Sequence, residues 1–212
     1  LRLTEMAHRA KTHKDSLLAA LLANGGEAGF NSYDGVTFFN EQHVSGDSGA
    51  QSNDISFDVA DLDEGPTAEE ILRAYSAAVA QLLSFKDDQG EPLSTSDTGL
   101  AVVIPPALRY PVRTALQAQM ITMTGNPFAG EAQIVVWPYL DAGDEFFVMK
   151  TDVPVRPFVF QDRMPLEFKE VGPGSEEEFK RGKHLYGTRA RYMIAYGRWE
   201  YCVRVTLSEV GG

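Results

Sequence analysis

The pattern of apolar and turn residues predicts an α+β protein, and three observations carry that prediction. Apolar residues recur at helical spacing in two stretches, one ending at Asn24 and one running from Thr67 to Leu83. Short apolar runs of strand length, such as Leu100 to Ile104 and Gln133 to Trp137, stand between turn residues. The stretch from Leu185 to Leu207 sets Tyr186, Tyr192, Tyr196, Trp199 and Tyr201 among Arg189, Arg191, Arg198 and Arg204, contains no Pro, and reads as one long strand or a hairpin. At 212 residues, 43% hydrophobic and 10% aromatic, the chain is long enough to bury roughly 70% of its unfolded surface in one or two packed units.

The first helix places Leu3, Met6, Ala7, Ala10, Leu17, Leu18, Leu21 and Leu22 on one face and stops after Asn24, where Gly25 and Gly26 let the chain turn. No capping residue precedes it, so the chain is expected to begin inside a longer element, as a truncated product. The alternative is that Thr4 caps a slightly shorter helix. Asn31-Ser32-Tyr33-Asp34-Gly35 then signals a turn before a short strand, Val36 to Phe39, and a Gly-, Ser-, Asp- and Asn-rich loop spans Ser45 to Asp54. Pro66, Thr67 and Glu70 announce the second helix through a capping box, and Ile71, Leu72, Tyr75, Ala78, Val79, Leu82 and Leu83 continue it. A polar linker from Lys86 to Thr98 leads to Leu100-Ala101-Val102-Val103-Ile104, a strand to be buried on both faces, ended by Pro105-Pro106. A third helix should start near Pro106, with Pro111 kinking it or delaying its start, and reach Met120. Strands are expected at Gln133 to Trp137, Glu145 to Met149, Arg156 to Gln161 and Pro165 to Glu170. No repeat of fixed period and no low-complexity tail occurs.

Composition narrows the function. Thirty Asp and Glu against 19 Lys and Arg give a formal charge of -11, which argues against a phosphate-binding surface driven by counterion release. Cys202 is the single cysteine; it can form no internal disulfide, no zinc-type spacing surrounds it, and a reducing cytoplasm fits. No run of ~18 apolar residues and no secretory signal is present, so a soluble, cytosolic product is expected. His8 and His13, five apart on a helix, face apart and share no metal; with His43 and His184 they read as solvated or interfacial.

The search for chemistry nominates no site. Gly182-Lys183 lacks the upstream Gly of a phosphate loop, no GxGxxG follows a strand, and no GxSxG elbow occurs. Asp58, Asp61, Asp63 and Glu64 offer oxygen ligands but miss the calcium-loop spacing, so they read as a solvated turn that favours the following helix N-terminus, and Glu176-Glu177-Glu178 reads likewise. No carboxylate pair is nominated for glycoside hydrolysis. Cys202 reads as a small buried hydrophobe rather than a nucleophile. Aromatics beside arginines in the last segment could stack single-stranded nucleic acid, but the net charge opposes that ligand. No catalytic residue, cofactor or metal is therefore expected.

Several strings, in this order, resemble a known family. They are Leu21-Leu22-Ala23-Asn24-Gly25, Tyr33-Asp34-Gly35-Val36-Thr37-Phe38-Phe39 with His43, and Gln51-Ser52-Asn53. Further along come Val103-Ile104-Pro105-Pro106-Ala107-Leu108, Asn126-Pro127, Trp137-Pro138-Tyr139-Leu140, Tyr186-Gly187-Thr188-Arg189-Ala190-Arg191-Tyr192 and Ala195-Tyr196-Gly197-Arg198-Trp199. Together they resemble the major head subunit of Mu-like tailed phages and prophages, whose shell proteins have the Hong Kong ninety-seven capsid fold. The likeness spans nearly the whole chain. It departs at the start, where such proteins would carry an N-terminal arm and an extended loop.

That resemblance implies a spine helix at 1–24, a discontinuous peripheral domain at 1–65 and 155–212, and an axial domain at 66–154. It implies a structural subunit of an icosahedral head, self-assembling into pentamers and hexamers that enclose double-stranded DNA, made in the host cytoplasm and ending in the virion. Scaffold, protease and portal proteins would be its partners during assembly; no membrane partner is implied. Arg189, Arg191, Arg198 and Trp199 are the candidate subunit-interface residues, because Arg and Trp are enriched at interface centres; the alternative is that the arginines merely face solvent. The loop Gly125 to Gly130 is placed near a symmetry axis by the resemblance alone. Two other readings remain: an encapsulin-like storage shell, which needs a cargo groove, and an acidic α+β hydrolase, which needs a cleft with perturbed carboxylates.

Overall fold

The computed structural model describes residues 2–94, 96–121 and 123–209. Leu1, on which the expectation of a truncated start falls, lies outside them, as does the side chain of Leu3. Helix α1 (Arg2–Ala23) buries Ala19 and Leu22 and half-buries the rest of its apolar face. It stops where a Cβ on Gly25 would lie 2.6 Å from the ring of Phe39.

The strand expected at Val36 to Phe39 does not form. Phe38 and Phe39 are adjacent yet both buried, and successive strand residues point to opposite faces, so the segment becomes a loop with a single bridge, Asn31 to Thr37. The loop expected from Ser45 to Asp54 instead carries structure. Strands β1 (His43–Val44) and β2 (Ala50–Gln51) pair antiparallel around a short 3-10 turn, and β3 (Asp54–Val59) follows. Its signal was present: Ile55, Phe57 and Val59 alternate with Ser56 and Asp58.

Helix α2 (Ala68–Ser84) forms as the capping box predicts. The Thr67 hydroxyl accepts from the Glu70 amide, and the Glu70 carboxylate accepts from the Thr67 amide. Hydrogen bonds from Thr67 hold the Glu70 carboxyl below the usual carboxylate range. Thr67→Ala should lower stability by about 1 kcal/mol, read as a lower urea midpoint; an unchanged midpoint would show that the cap contributes nothing. Because the folded-state pKa of Glu70 is depressed, its contribution is present above the unfolded value and fades as pH falls through the folded one.

Strand β4 (Leu100–Ile104) is buried at all five positions. A 3-10 turn, Pro106–Leu108, precedes α3 (Arg109–Gln117). Pro111 sits in the first turn of α3, where amides have no helical partner, so it delays the start rather than kinking the helix. The helix ends before Met120 because β5 (Met120–Ile121) and β6 (Thr124–Gly125) form a small hairpin, with Met123 at φ 65°. Strands β7 (Ala132–Val136) and β8 (Glu145–Lys150) fall close to expectation.

Three expectations fail in the last third. The strands expected at 156–161 and 165–170 are one strand, β9 (Phe158–Val171), because a bulge near Pro165 absorbs the residue that cannot donate. Helix α4 (Glu176–Arg181), capped by Ser175, takes up the three glutamates read as a turn. The segment Leu185 to Leu207 is neither one strand nor a hairpin. Its first part, β10 (Leu185–Tyr196), pairs with β9 upstream. The chain then crosses at Gly197, whose amide donates to the Pro157 carbonyl at 2.7 Å and where a Cβ would collide with the Arg156 carbonyl. After a 3-10 turn at Trp199–Tyr201, β11 (Cys202–Glu209) enters another sheet.

That sheet has the order β3-β11-β8-β4-β7. Strand β11 runs parallel to β3 and antiparallel to β8; β4 runs antiparallel to β8 and parallel to β7. Helix α2 packs on β3, β8 and β11, and α3 on α2 and β7. The sheet thus takes strands from 54–59 and 202–209 as well as from 100–150. Among the described residues no helix is long and apolar enough to cross a membrane.

Candidate subunit interfaces

The ribbon β9–β10 pairs from Tyr196 opposite Phe158 to Leu185 opposite Val171, with its register shifted on either side of Arg191. Its near half is anchored. The Tyr196 hydroxyl donates to the Leu21 carbonyl at 2.7 Å, and its ring stacks on Phe38 at 4.3 Å. His13 Nδ1 meets the Tyr192 hydroxyl at 2.7 Å. Lys14 Nζ lies 4.2 Å from the ring centre of Phe160 and 5.0 Å from that of Tyr192, a cation over two aromatic faces, and 4.0 Å from Asp162 Oδ2. The far half has no such cover: Leu166, Phe168, Val171, Leu185 and Tyr186 are exposed, and Phe179 on α4 is 92% exposed. These side chains are the candidate contact surface of the ribbon, since large exposed apolar patches are a feature of interaction sites.

The four candidate interface residues divide. Arg189 and Arg191 stand exposed on β10, and among the described residues neither has a carboxylate within 4 Å. Arg198 is half-buried at the crossing, hydrogen-bonded to Tyr201 and close to Glu200. Trp199 is corrected: it is 0% exposed, stacked on His43 at 4.0 Å and edge-on to Phe85 at 5.2 Å. It belongs to the core and offers no surface to a neighbour. Trp serves interface centres and cores alike, and the turn after Gly197 swings it inward.

His43 is likewise corrected from solvated or interfacial to fully buried. Its Nδ1 lies 2.6 Å from Asp34 Oδ2, and its Nε2 lies 3.2 Å from the Phe38 carbonyl and 3.1 Å from Asn53 Oδ1. Asn53 donates from Nδ2 to the carbonyls of Phe38 and Cys202, so its Oδ1 is free to accept and both ring nitrogens of His43 face acceptors. Nearby, Glu200 is buried and accepts from the Tyr33 hydroxyl at 2.8 Å; burial, with that carboxylate, pushes the Tyr33 hydroxyl well above its usual range. The network ties the loop 33–43 to the start of β11. Its residues were in plain view, Asp34, His43, Asn53 and Trp199 all lying in or beside the strings quoted above, but only the fold brings them together.

The remaining chemical candidates sit as structural groups. Cys202 is fully buried, and burial pushes its thiol up, as expected of a small hydrophobe. Asp61 accepts from the Glu64 amide and Asp58 from Ser208. The His184 imidazole lies 3.6 Å from Glu178 on the exposed α4 turn.

This arrangement of helix, ribbon and sheet is the Hong Kong ninety-seven fold of phage capsid proteins. The chain is similar to the capsid protein of the cyanophage P-SCSP1u over 98% of its own length and 65% of the other, at TM-score 0.65 and 12% identity. It is similar to the mature capsid protein of bacteriophage PhiM1 over 95% and 62%, at TM-score 0.58 and 12% identity. A procapsid protein of bacteriophage JBD30 matches over 95% and 42%, at 17% identity and TM-score 0.43. The chain thus spans between 42% and 65% of the length of these three proteins. No curated protein matches it. The model of the family "Mu-like prophage major head subunit gpT" matches residues 2–68, 67–140 and 141–209. The chain belongs to that family.

Proposed function

We propose that this chain builds the shell of an icosahedral phage or prophage head, self-assembling into pentamers and hexamers that enclose double-stranded DNA, and that it is not an enzyme. The observation that carries the reading is the family match along the described chain, supported by a fold shared with capsid proteins of phages. In this reading the protein ends in the virion after assembly in the host cytoplasm, with scaffold, protease and portal proteins as partners. Residues 66–154 with β3 and β11 make the axial part, and α1 with the ribbon makes the peripheral part from the rest of 1–65 and 155–212. Each subunit offers a heterologous face, so copies close into rings, and many weak contacts sum to a stable shell. A charge of -11 keeps the wall from adhering to the DNA it encloses.

The test is to express the complete reading frame that encodes this chain and examine it by sedimentation and negative-stain electron microscopy. Closed shells or rings are the expected result. A monodisperse monomer at high concentration would overturn the reading.

A further inference from the structure

The partners of His43 fix how many protons it shares. Asn53 Nδ2 donates to the carbonyls of Phe38 and Cys202, and Asn53 Oδ1 accepts from the Asn40 amide at 2.9 Å, so the Asn53 side chain cannot be turned end for end without breaking these bonds. His43 Nε2 faces that same oxygen at 3.1 Å and the Phe38 carbonyl at 3.2 Å. Neither oxygen can donate, so Nε2 carries a hydrogen. On the other side of the ring, Nδ1 and Asp34 Oδ2 stand 2.6 Å apart, a contact that needs a proton between them. Whether that proton is written on Nδ1 or on Oδ2, the pair holds one more than a neutral imidazole and a separate carboxylate.

The surroundings offer no substitute for this proton. His43 is fully buried, the Asp34 side chain is 9% exposed, and Trp199 covers one face of the imidazole at 4.0 Å. Asp34 Oδ1 has no partner among the described residues. Without the proton, a bare nitrogen lone pair would face a carboxylate out of reach of bulk water. The other charged and titratable groups on the packed elements are engaged elsewhere. At the crossing, Glu200 accepts from the Tyr33 hydroxyl and stands close to Arg198. On β11, Arg204 is bound to Asp54. Burial pushes both the Tyr33 hydroxyl and the Cys202 thiol up, and Glu41 and Lys86 are exposed.

The pair closes a segment with little backbone pairing. Among the described residues, 30–42 has the single bridge Asn31 to Thr37, and its far end is fastened by the Phe38 amide to Phe30, the Phe39 amide to Gly25 and the Asn40 amide to Asn53. We propose that His43 and Asp34 form a proton-operated latch: the loop 30–43 docks on Asn53 and Trp199 with one proton taken up, and raising the pH opens it while the five-stranded sheet stays closed. In the released loop, histidine and aspartate stand in water at neutral pH as imidazole and carboxylate. The docked state therefore binds more protons than the released one, and docking weakens as pH rises. The inference is independent of the shell reading.

Hydrogen exchange on the complete gene product, kept in one assembly state, tests it. Corrected for the chemical exchange rate, protection of the Phe38, Phe39 and Asn40 amides should fall about tenfold for each unit of pH above neutrality, while the amides of β4 keep theirs. In Asp34→Asn the new amide can donate to Nδ1 of a neutral imidazole, so the loop should stay docked and the slope should vanish. A flat wild-type profile at 38–40, a slope shared equally by β4, or a slope retained in folded Asp34→Asn overturns the latch. If that variant does not fold, the wild-type slope at 38–40 against that of β4 decides.

Discussion

Trp199→Ala should destabilise the chain by about 4 kcal/mol, near the upper end for a single truncation in a core. The indole is fully buried between the imidazole of His43 and the ring of Phe85. Among the described residues its Nε1 has no hydrogen-bond partner, so the loss comes from packing rather than from a broken hydrogen bond. Around it stand Phe85 at the end of α2, the 34–43 loop and the first residue of β11, held by the Asn53 bond to the Cys202 carbonyl. They cannot all close into the space, so the cavity persists. The measurement is urea unfolding followed by circular dichroism. A loss under about 1.5 kcal/mol, the scale of a volume-conserving swap, would mean that the site collapses and that Trp199 is not the centre of this packing.

Arg204→Met should cost about 2 to 3 kcal/mol, somewhat below the figure for breaking a fully buried pair, because the groups keep partial access to water. The guanidinium donates from Nε and Nη2 to the two oxygens of Asp54 at 2.9 and 2.6 Å, lies 3.9 Å from Glu145, and covers the ring of Phe39 at 5.0 Å. Methionine keeps much of the apolar stem but leaves two carboxylates together. Burial already raises the Glu145 carboxyl above its usual range, and Arg204 pulls it back; without Arg204 it rises further. A group whose folded pKa is raised contributes stability below its unfolded value and loses it as pH rises through the folded one. The deficit of the variant should therefore be larger at neutral pH than in acid. A deficit independent of pH would remove Glu145 from the account.

What the sequence disclosed depended on how local the cause was. Thr67 and Glu70 announce α2 because a capping box is completed within four residues, and Leu100 to Ile104 announce a buried strand because nothing but burial suits five apolar residues in a row. The crossing at Gly197 could not be read, since its cause is the Arg156 carbonyl, 41 residues away in the chain and against it in space. Pro165 read as a strand break because the bulge that accommodates it is a property of the paired strands. Arg189 and Arg191 were legible as exposed cations; Trp199 was not separable from them, because Trp next to Arg describes the centre of an interface and the floor of a core equally well. The family resemblance, carried by the order of short strings, reached the fold that periodicity alone left as α+β.

The position of β11 also sets a timetable for synthesis. This strand lies second in the five-stranded sheet, and its Arg204 joins Asp54 from 150 residues earlier. Pairings across such spans close slowly, and a chain emerging from the ribosome cannot make them until the later partner exists. Until 202–209 are translated, β3 and β8 have no strand between them and the core has no Trp199 behind it. Among the described residues β3 pairs with no strand other than β11, so a polypeptide that stops before residue 202 carries an unpaired strand edge.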